Sequence, residues 1–323
     1  MSLHEIKHKF LYPFLAFGVG FLLTLYGCGS LAKRAGNAGS GKPEAANTAV
    51  SSTAERVVVN GKAGESLQLT AEYAPTNKVV FQNFASLGFD PGVILTEASI
   101  QNIVKDAAAA GAESDVYPVS IYGEECALAN VNIDNISSPY MGIALRAASL
   151  KNTAIRNVTA VGFAPDENNL AAGIGLQLGQ TELSAVVIQN VTANAQGVIM
   201  ADCAINTLEI KDVAGGIYGA LIFDIEQIND LRLSNVNGQT AGVAVSNMVL
   251  SNTVISDITG SRYGLHVENS AQLSGVTLNN VQNIKIEKEV NLYNVAFLNC
   301  TFALDEDVWL PEGYTGGAYT GTH

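Results

Sequence analysis

Eight Asn/Asp-aliphatic pairs recur along the chain, each preceded by the same apolar positions. They are Asn135-Ile136, Asn157-Val158, Asn190-Val191, Asp212-Val213, Asn235-Val236, Asp257-Ile258, Asn280-Val281 and Asn299-Cys300, at intervals of 22, 33, 22, 23, 22, 23 and 19 residues. Seven residues ahead of each stands Leu128, Leu150, Leu183, Ile205, Ile228, Leu250, Leu273 or Leu292; two ahead stands Ile133, Ile155, Ile188, Ile210, Leu233, Ile255, Leu278 or Phe297. Counted from the leading aliphatic, apolar residues fall at positions one, four, six and nine and Asn/Asp at position eight. Thr153 and Thr253 depart from this at position four, and Cys300 at position nine. A unit of this length cannot bury its apolar face alone, so the register implies stacked copies in a solenoid.

Each unit continues into a second short run led by glycine: Gly142-Ile-Ala-Leu, Gly197-Val-Ile-Met, Gly219-Ala-Leu-Ile, Gly242-Val-Ala-Val and Gly264-Leu-His-Val. Period-2 alternation over so few residues predicts strands. Parallel coils about 4.8 Å apart would superpose equivalent positions, with aliphatics inside and the Asn/Asp residues forming a hydrogen-bonded ladder at a turn. The predicted fold is all-β: a right-handed single-stranded parallel β-helix. A leucine-rich repeat shares the period, but it places Asn at the ninth position of its unit, and the ninth here is Ile, Val or Cys. Asn135-Ile-Ser, Asn157-Val-Thr, Asn190-Val-Thr and Asn299-Cys-Thr match the glycosylation triplet, yet as ladder residues they are read as structural, with no glycan expected.

Ahead of the stack, Val79-Val-Phe-Gln-Asn83-Phe84 fits the template once more. Between it and Asn135, Glu97 to Ala112 carries Ile100, Ile103, Val104 and Ala107 at spacings that suit an amphipathic helix ended by Gly111, a short N-terminal cap over the open strand edges. Residues 56–126 thus form an N-terminal coil and cap region and 127–303 the regular coils, with a polar C-terminal cap and tail over 304–323.

The N-terminus has the order of an export signal: Lys7 and Lys9, an apolar run from Phe10 to Tyr26, then Gly27-Cys28-Gly29-Ser30. This resembles a bacterial lipoprotein signal, with Leu25 and Gly27 on pattern and Tyr26 bulkier than usual. The resemblance implies a signal over 1–27 and lipidation of Cys28; without cleavage, the same run is long enough for a membrane anchor. Residues 28–55, rich in Gly, Ala and Ser, read as a flexible linker. The expected address is therefore the cell envelope, at the outer membrane or cell surface, with secretion as the alternative. Cys126, Cys203 and Cys300 are an odd set, read as small core residues. A net charge of −13 argues against a nucleic-acid partner.

Chemistry, if present, must lie outside the ladder. Two and four residues after the glycines, the outward positions are Ala144 and Arg146, Ile199 and Ala201, Leu221 and Phe223, Ala244 and Ser246, then His266 and Glu268. Ile199, Leu221 and Phe223 are apolar residues on an outward face and need cover, so with Arg146 they form a candidate binding surface. The eleven-residue excess around Gly162 to Asn169 adds Phe163 and Asp166 as a candidate wall. Asp202 and Asp224 stack on adjacent coils, where a shared cation would relieve their repulsion; no cofactor is expected beyond Ca²⁺ at this pair. The densest ionisable group is Arg262, Tyr263, His266 and Glu268, with Lys285 and Glu287 one coil further on. Glu268 and Glu287 have the chemistry of an acid and a base, and Tyr263 or His266 that of a base beside a carboxylate.

The repeat architecture over residues 57–303 resembles the pectate-lyase-like right-handed β-helix superfamily, many of whose members cleave, epimerise or bind polysaccharides on one long face. Polygalacturonase-like elements are not reproduced: Gly264-Leu265-His266 and Asn283-Ile284-Lys285 stand nearest to G-H-G and R-I-K without matching. Three readings follow. The first is a membrane-tethered binding or structural module for a polysaccharide or a surface protein. The second is a polysaccharide lyase, hydrolase or epimerase with a divergent site. The third is a self-associating building block. The sparse ionisable inventory favours the first.

Overall fold

A computed structural model describes residues 56–71, 78–105, 119–162, 172–225, 227–268, 271–305 and 307–323. Within them the chain winds as a parallel β-helix. A 12-stranded sheet, a 10-stranded sheet and two shorter sheets of six and three strands run along the coils. Strands adjacent in a sheet come from successive coils, and every pairing is parallel except the last of the 12-stranded sheet.

The register read from the sequence is the hydrogen-bonded one. Leu128, Leu150, Leu183, Ile205 and Ile228 pair in one column of the short sheet, and Leu250, Leu273 and Leu292 in the next. Ile133, Ile155, Ile188, Ile210, Leu233, Ile255, Leu278 and Phe297 pair in the 12-stranded sheet and are all buried. Each such side chain removed from water contributes about 1.5–3 kcal/mol, which drives the stacking. Thr153 and Thr253 fit the same interior because each hydroxyl donates to a carbonyl two residues back, Lys151 at 3.2 Å and Ser251 at 2.9 Å. Cys126, Cys203 and Cys300 are free and buried, as core residues.

The eighth-position residues take left-handed backbone, with φ from 51° to 57° across Asn135, Asn157, Asn190, Asp212, Asn235, Asp257, Asn280 and Asn299. They bend seven strands of the 12-stranded sheet without ending them, Asn280 instead following the end of Thr277–Asn279, and their amides climb the stack. Asn190 donates to Asn157 at 3.0 Å, Asn235 to Asp212 at 2.7 Å, Asn280 to Asp257 at 2.7 Å and Asn299 to Asn280 at 3.2 Å. Each coil holds further left-handed corners. In the coil containing Asn135 they are Glu125 and Asn130, so a short strand, Ala127–Ala129, is pinched between two turns. The glycine column stands second in the strands of the 10-stranded sheet, just past the turn from the 12-stranded one. A Cβ on Gly219 would lie 2.5 Å from Val236 Cγ1 and 2.6 Å from the Gly242 carbonyl oxygen of the next coil, so only hydrogen fits.

Two ends differ from expectation. Ser99–Val104 is a strand of the 12-stranded sheet, not helix; the rest of the predicted helix falls outside the described residues, none of which form an α-helix. Ile100 and Ile103 mimicked a helical face because they straddle Asn102, whose φ is 56°. Leu95, Ile100 and Asn102-Ile103 are an unrecognised copy of the coil template, and Ile100 pairs with Ile133. At the other end, the C-terminal cap is aromatic inside: Phe302 packs edge-on against Trp309, Tyr314 and Tyr319, and Trp309 stacks on Phe297. Tyr319–Thr322 pairs antiparallel with Ala296–Cys300 and closes that edge. No helix among the described residues is long and apolar enough to cross a membrane; residues 1–55, with the expected signal, Cys28 and the expected linker, lie outside them.

Candidate functional site

The outward positions inferred from the glycine runs form two continuous columns of the 10-stranded sheet. One is Ala144, Gln177, Ile199, Leu221, Ala244, His266 and Lys285. The other is Arg146, Gly179, Ala201, Phe223, Ser246 and Glu268. The apolar trio and the ionisable group therefore share one strip of surface, and alternation alone would leave it in water. Its middle is buried instead: Ile199, Leu221 and Phe223 are 2%, 3% and 7% exposed, and His266 and Glu268 are 7% and 3% exposed, whereas Ala144, Arg146, Gln177 and Lys285 are half-buried. Arg146 sits at the other end of the strip, 3.7 Å from Glu124 and donating to Gln180 at 3.3 Å. Phe163 and Asp166 lie outside the described residues.

At the C-terminal end of the strip the ionisable residues converge. His266 Nε2 lies 3.5 Å from Glu268 Oε2 and 3.9 Å from Glu287 Oε1. Lys285 pairs with His266 across the coils, and the Glu287 amide donates to the Val267 carbonyl, which brings Glu287 beside Glu268. The Tyr263 ring lies 5.2 Å from that of His266, with the Arg262 guanidinium 5.0 Å and the Lys285 ammonium 5.5 Å from its centroid. Tyr263 donates its hydroxyl to Asp305 at 2.5 Å, so the terminal cap supplies a carboxylate to the group.

Burial dominates the electrostatics. Exclusion of water, then the Lys285 and Arg262 charges, depress the His266 imidazole to about 4, with Asp305 opposing. Neither Glu268 nor Glu287 forms a hydrogen bond with Nε2, and desolvation is the largest effect. Burial, then Glu268, pushes Tyr218 up to about 12, with Arg262 opposing. Burial, then the Asp305 hydrogen bond, raises Tyr263. The imidazole is thus a neutral base near pH 7, between a carboxyl group on its own strand and one on the next coil.

Tyr218 and Asp305 escaped the sequence reading. Tyr218 had a signal, since it precedes a column glycine as Tyr263 does and the two share one column with Ala241 between them. Asp305 had none, because its approach depends on how the tail folds back. Asp202 and Asp224 occupy left-handed corners with φ of 52° and 53°, and Asp224 accepts from Asn247 at 2.9 Å. They belong to no group of three metal-ligating side chains among the described residues.

The 12-stranded sheet presents the opposite kind of face. Its outward column Ser137, Thr159, Thr192, Ala214, Asn237 and Thr259 runs beside the Asn/Asp ladder, and Thr192, Asn237 and Thr259 are exposed. The third residues of three glycosylation-like triplets are members of this column.

No protein-family model matches the chain, and no curated protein matches it. Among solved structures it is similar to a mannuronan C-5 epimerase A-module from Azotobacter vinelandii, at 10% identity and a TM-score of 0.34, covering 78% of this chain and 87% of that one. It is similar to the catalytic domain of a GH87 alpha-1,3-glucanase at 10% identity and a TM-score of 0.38, over 73% of this chain and 58% of that one. It is also similar to an endo-xylogalacturonan hydrolase from Aspergillus tubingensis at 10% identity and a TM-score of 0.33, over 79% and 90%. By its own strand register the chain is a parallel β-helix.

Proposed function

We propose that this protein is an envelope-tethered β-helix that binds an extended glycan along the outer face of its 12-stranded sheet. One observation carries the reading: of the two long faces, one buries its outward Ile199, Leu221, Phe223, His266 and Glu268, and the other exposes Thr192, Asn237 and Thr259 in one column. A polymer lying along the coils would meet a donor or acceptor about every 4.8 Å except at Ala214, each worth about 0.5–1.5 kcal/mol net, so affinity would come from length. Anionic polymers would be disfavoured by the net charge of −13.

The full chain in detergent micelles, applied to a panel of neutral and uronate-containing glycans, tests this. Binding to a neutral polymer of several residues, weakened at least tenfold by combined Thr192→Glu, Asn237→Glu and Thr259→Glu, is the expected outcome. Binding that ignores the triple substitution, or a wild-type chain retaining no glycan, would overturn it. The tether is tested by Cys28→Ala, which should abolish incorporation of a labelled fatty acid; a chain that never incorporates label yet stays in the membrane would indicate an uncleaved anchor.

The convergence of His266, Glu268, Glu287 and Tyr263 favours a second reading, a polysaccharide lyase, hydrolase or epimerase. A lyase would use His266 or Tyr263 to take the proton beside a carboxylate. Turnover of any glycan on the panel, abolished by combined His266→Gln and Glu268→Gln, would establish it; no turnover by the wild-type chain would dismiss it.

A further inference from the structure

His266 Nε2 is buried and makes no hydrogen bond, although two carboxylates lie just beyond reach. A ring nitrogen held in the interior without a partner is costly, and this one faces two carboxyl groups whose oxygens can share a cation with it. One atom from each of His266, Glu268 and Glu287 lies within 4.8 Å of the other two, the one such group of three among the described residues. We infer that His266 Nε2, Glu268 and Glu287 form a zinc-class metal site that ties the coil of His266 and Glu268 to the next coil through Glu287.

The distances and the donor set agree with that class. With metal–ligand bonds of about 2.0–2.2 Å, two ligands of a tetrahedral ion sit roughly 3.3–3.6 Å apart. The 3.5 Å separation meets that and the 3.9 Å one needs a small inward motion of Glu287, the more exposed of the two carboxylates. One imidazole nitrogen with two carboxylate oxygens suits a borderline ion such as Zn²⁺. Ca²⁺ is a poor fit, because it takes six to eight oxygens and makes little use of nitrogen. The cations Lys285 and Arg262 both lie against the Tyr263 ring next to His266 and weaken attraction to any cation, so a bound ion must be held by coordination and not by field alone. Inter-coil staples suit this place because the strand bearing Glu287's neighbours, Lys285–Ile286, is short and ends its sheet.

The probe is Zn²⁺ alone, titrated calorimetrically into the full chain after chelator treatment, with Mn²⁺ and Ca²⁺ as comparison ions. One Zn²⁺ per chain at micromolar affinity or tighter is expected, preferred over Ca²⁺ by at least tenfold and raising Tm by several degrees. His266→Gln and Glu287→Gln should each weaken uptake at least tenfold. Glu287 is partly exposed, so its variant should remain folded if the His266 variant does not. The spectrum of the Co²⁺-loaded wild-type chain should show one nitrogen ligand among oxygens. The chain's other histidines, His4, His8 and His323, supply the control: their combined replacement by Gln should leave uptake intact. Absence of stoichiometric uptake, retention in Glu287→Gln, or loss in the His4/His8/His323 variant would each overturn the site.

Discussion

Asn157 shows how one side chain serves two coils. Its amide donates to Asp134 at 2.6 Å, its carbonyl oxygen accepts from Asn190 at 3.0 Å, and its φ of 55° suits few residues other than Asn and Gly. Asn157→Ala should therefore cost about 1–3 kcal/mol in denaturant unfolding, and Asn157→Gly about half as much, because glycine keeps the backbone conformation and loses only the ladder. Equal losses would mean that the left-handed turn contributes nothing. The buried thiols make a second expectation. Burial pushes Cys126 and Cys203 up to about 11 and raises Cys300 as well. At pH 8 roughly a thousandth of each of the first two would be thiolate, so none of the three should react with a disulfide reagent until the coils are unfolded. Prompt reaction in native protein would show that the coils open locally.

The terminal strand is an element whose job is legible from its neighbours. Tyr319–Thr322 runs antiparallel on Ala296–Cys300, the end of an otherwise parallel sheet, and Tyr319 packs against Phe297 and Phe302. Parallel stacks end in an edge that invites further strands, and reversing the last strand is one way to stop the addition. Deleting residues 319–323 should expose both the edge and the aromatic cluster, lowering Tm and producing concentration-dependent association in light scattering. A truncated chain that stays monomeric with unchanged Tm would assign the capping to residues before Tyr319.

Taken as a stack, the coils are nearly one-dimensional, since each touches mainly its two neighbours. Stability should then be graded along the stack. Val57–Asn60 has a pairing partner on one side only and exposes Val57 and Val58, whereas the strands from Ile133 to Ile258 are paired on both sides. Amide exchange should be fastest at Val57–Asn60, and the central coils should exchange together and slowest. Uniform protection from end to end would show that the ends are as well held as the middle.

The repeat made the parallel β-helix, its register and its interior columns readable in advance, because stacking forces equivalent positions into vertical contact and selection for burial then marks them in every unit. Where two coil positions coincide with another periodicity the marking misleads: Ile100 and Ile103 are three apart whether they line a helix or straddle a left-handed Asn102. The sequence could also place His266, Glu268, Lys285 and Glu287 on neighbouring coils, since that is counting along a period. Counting could not show that the outward His266 and Glu268 are buried while Thr192, Asn237 and Thr259 are exposed, or that Asp305 reaches Tyr263. Exposure of an outward side chain depends on what lies over it, and the tail's return depends on aromatic packing among residues far apart in the chain. Neither leaves a periodic trace, so both were settled only when the coils and their cap were assembled.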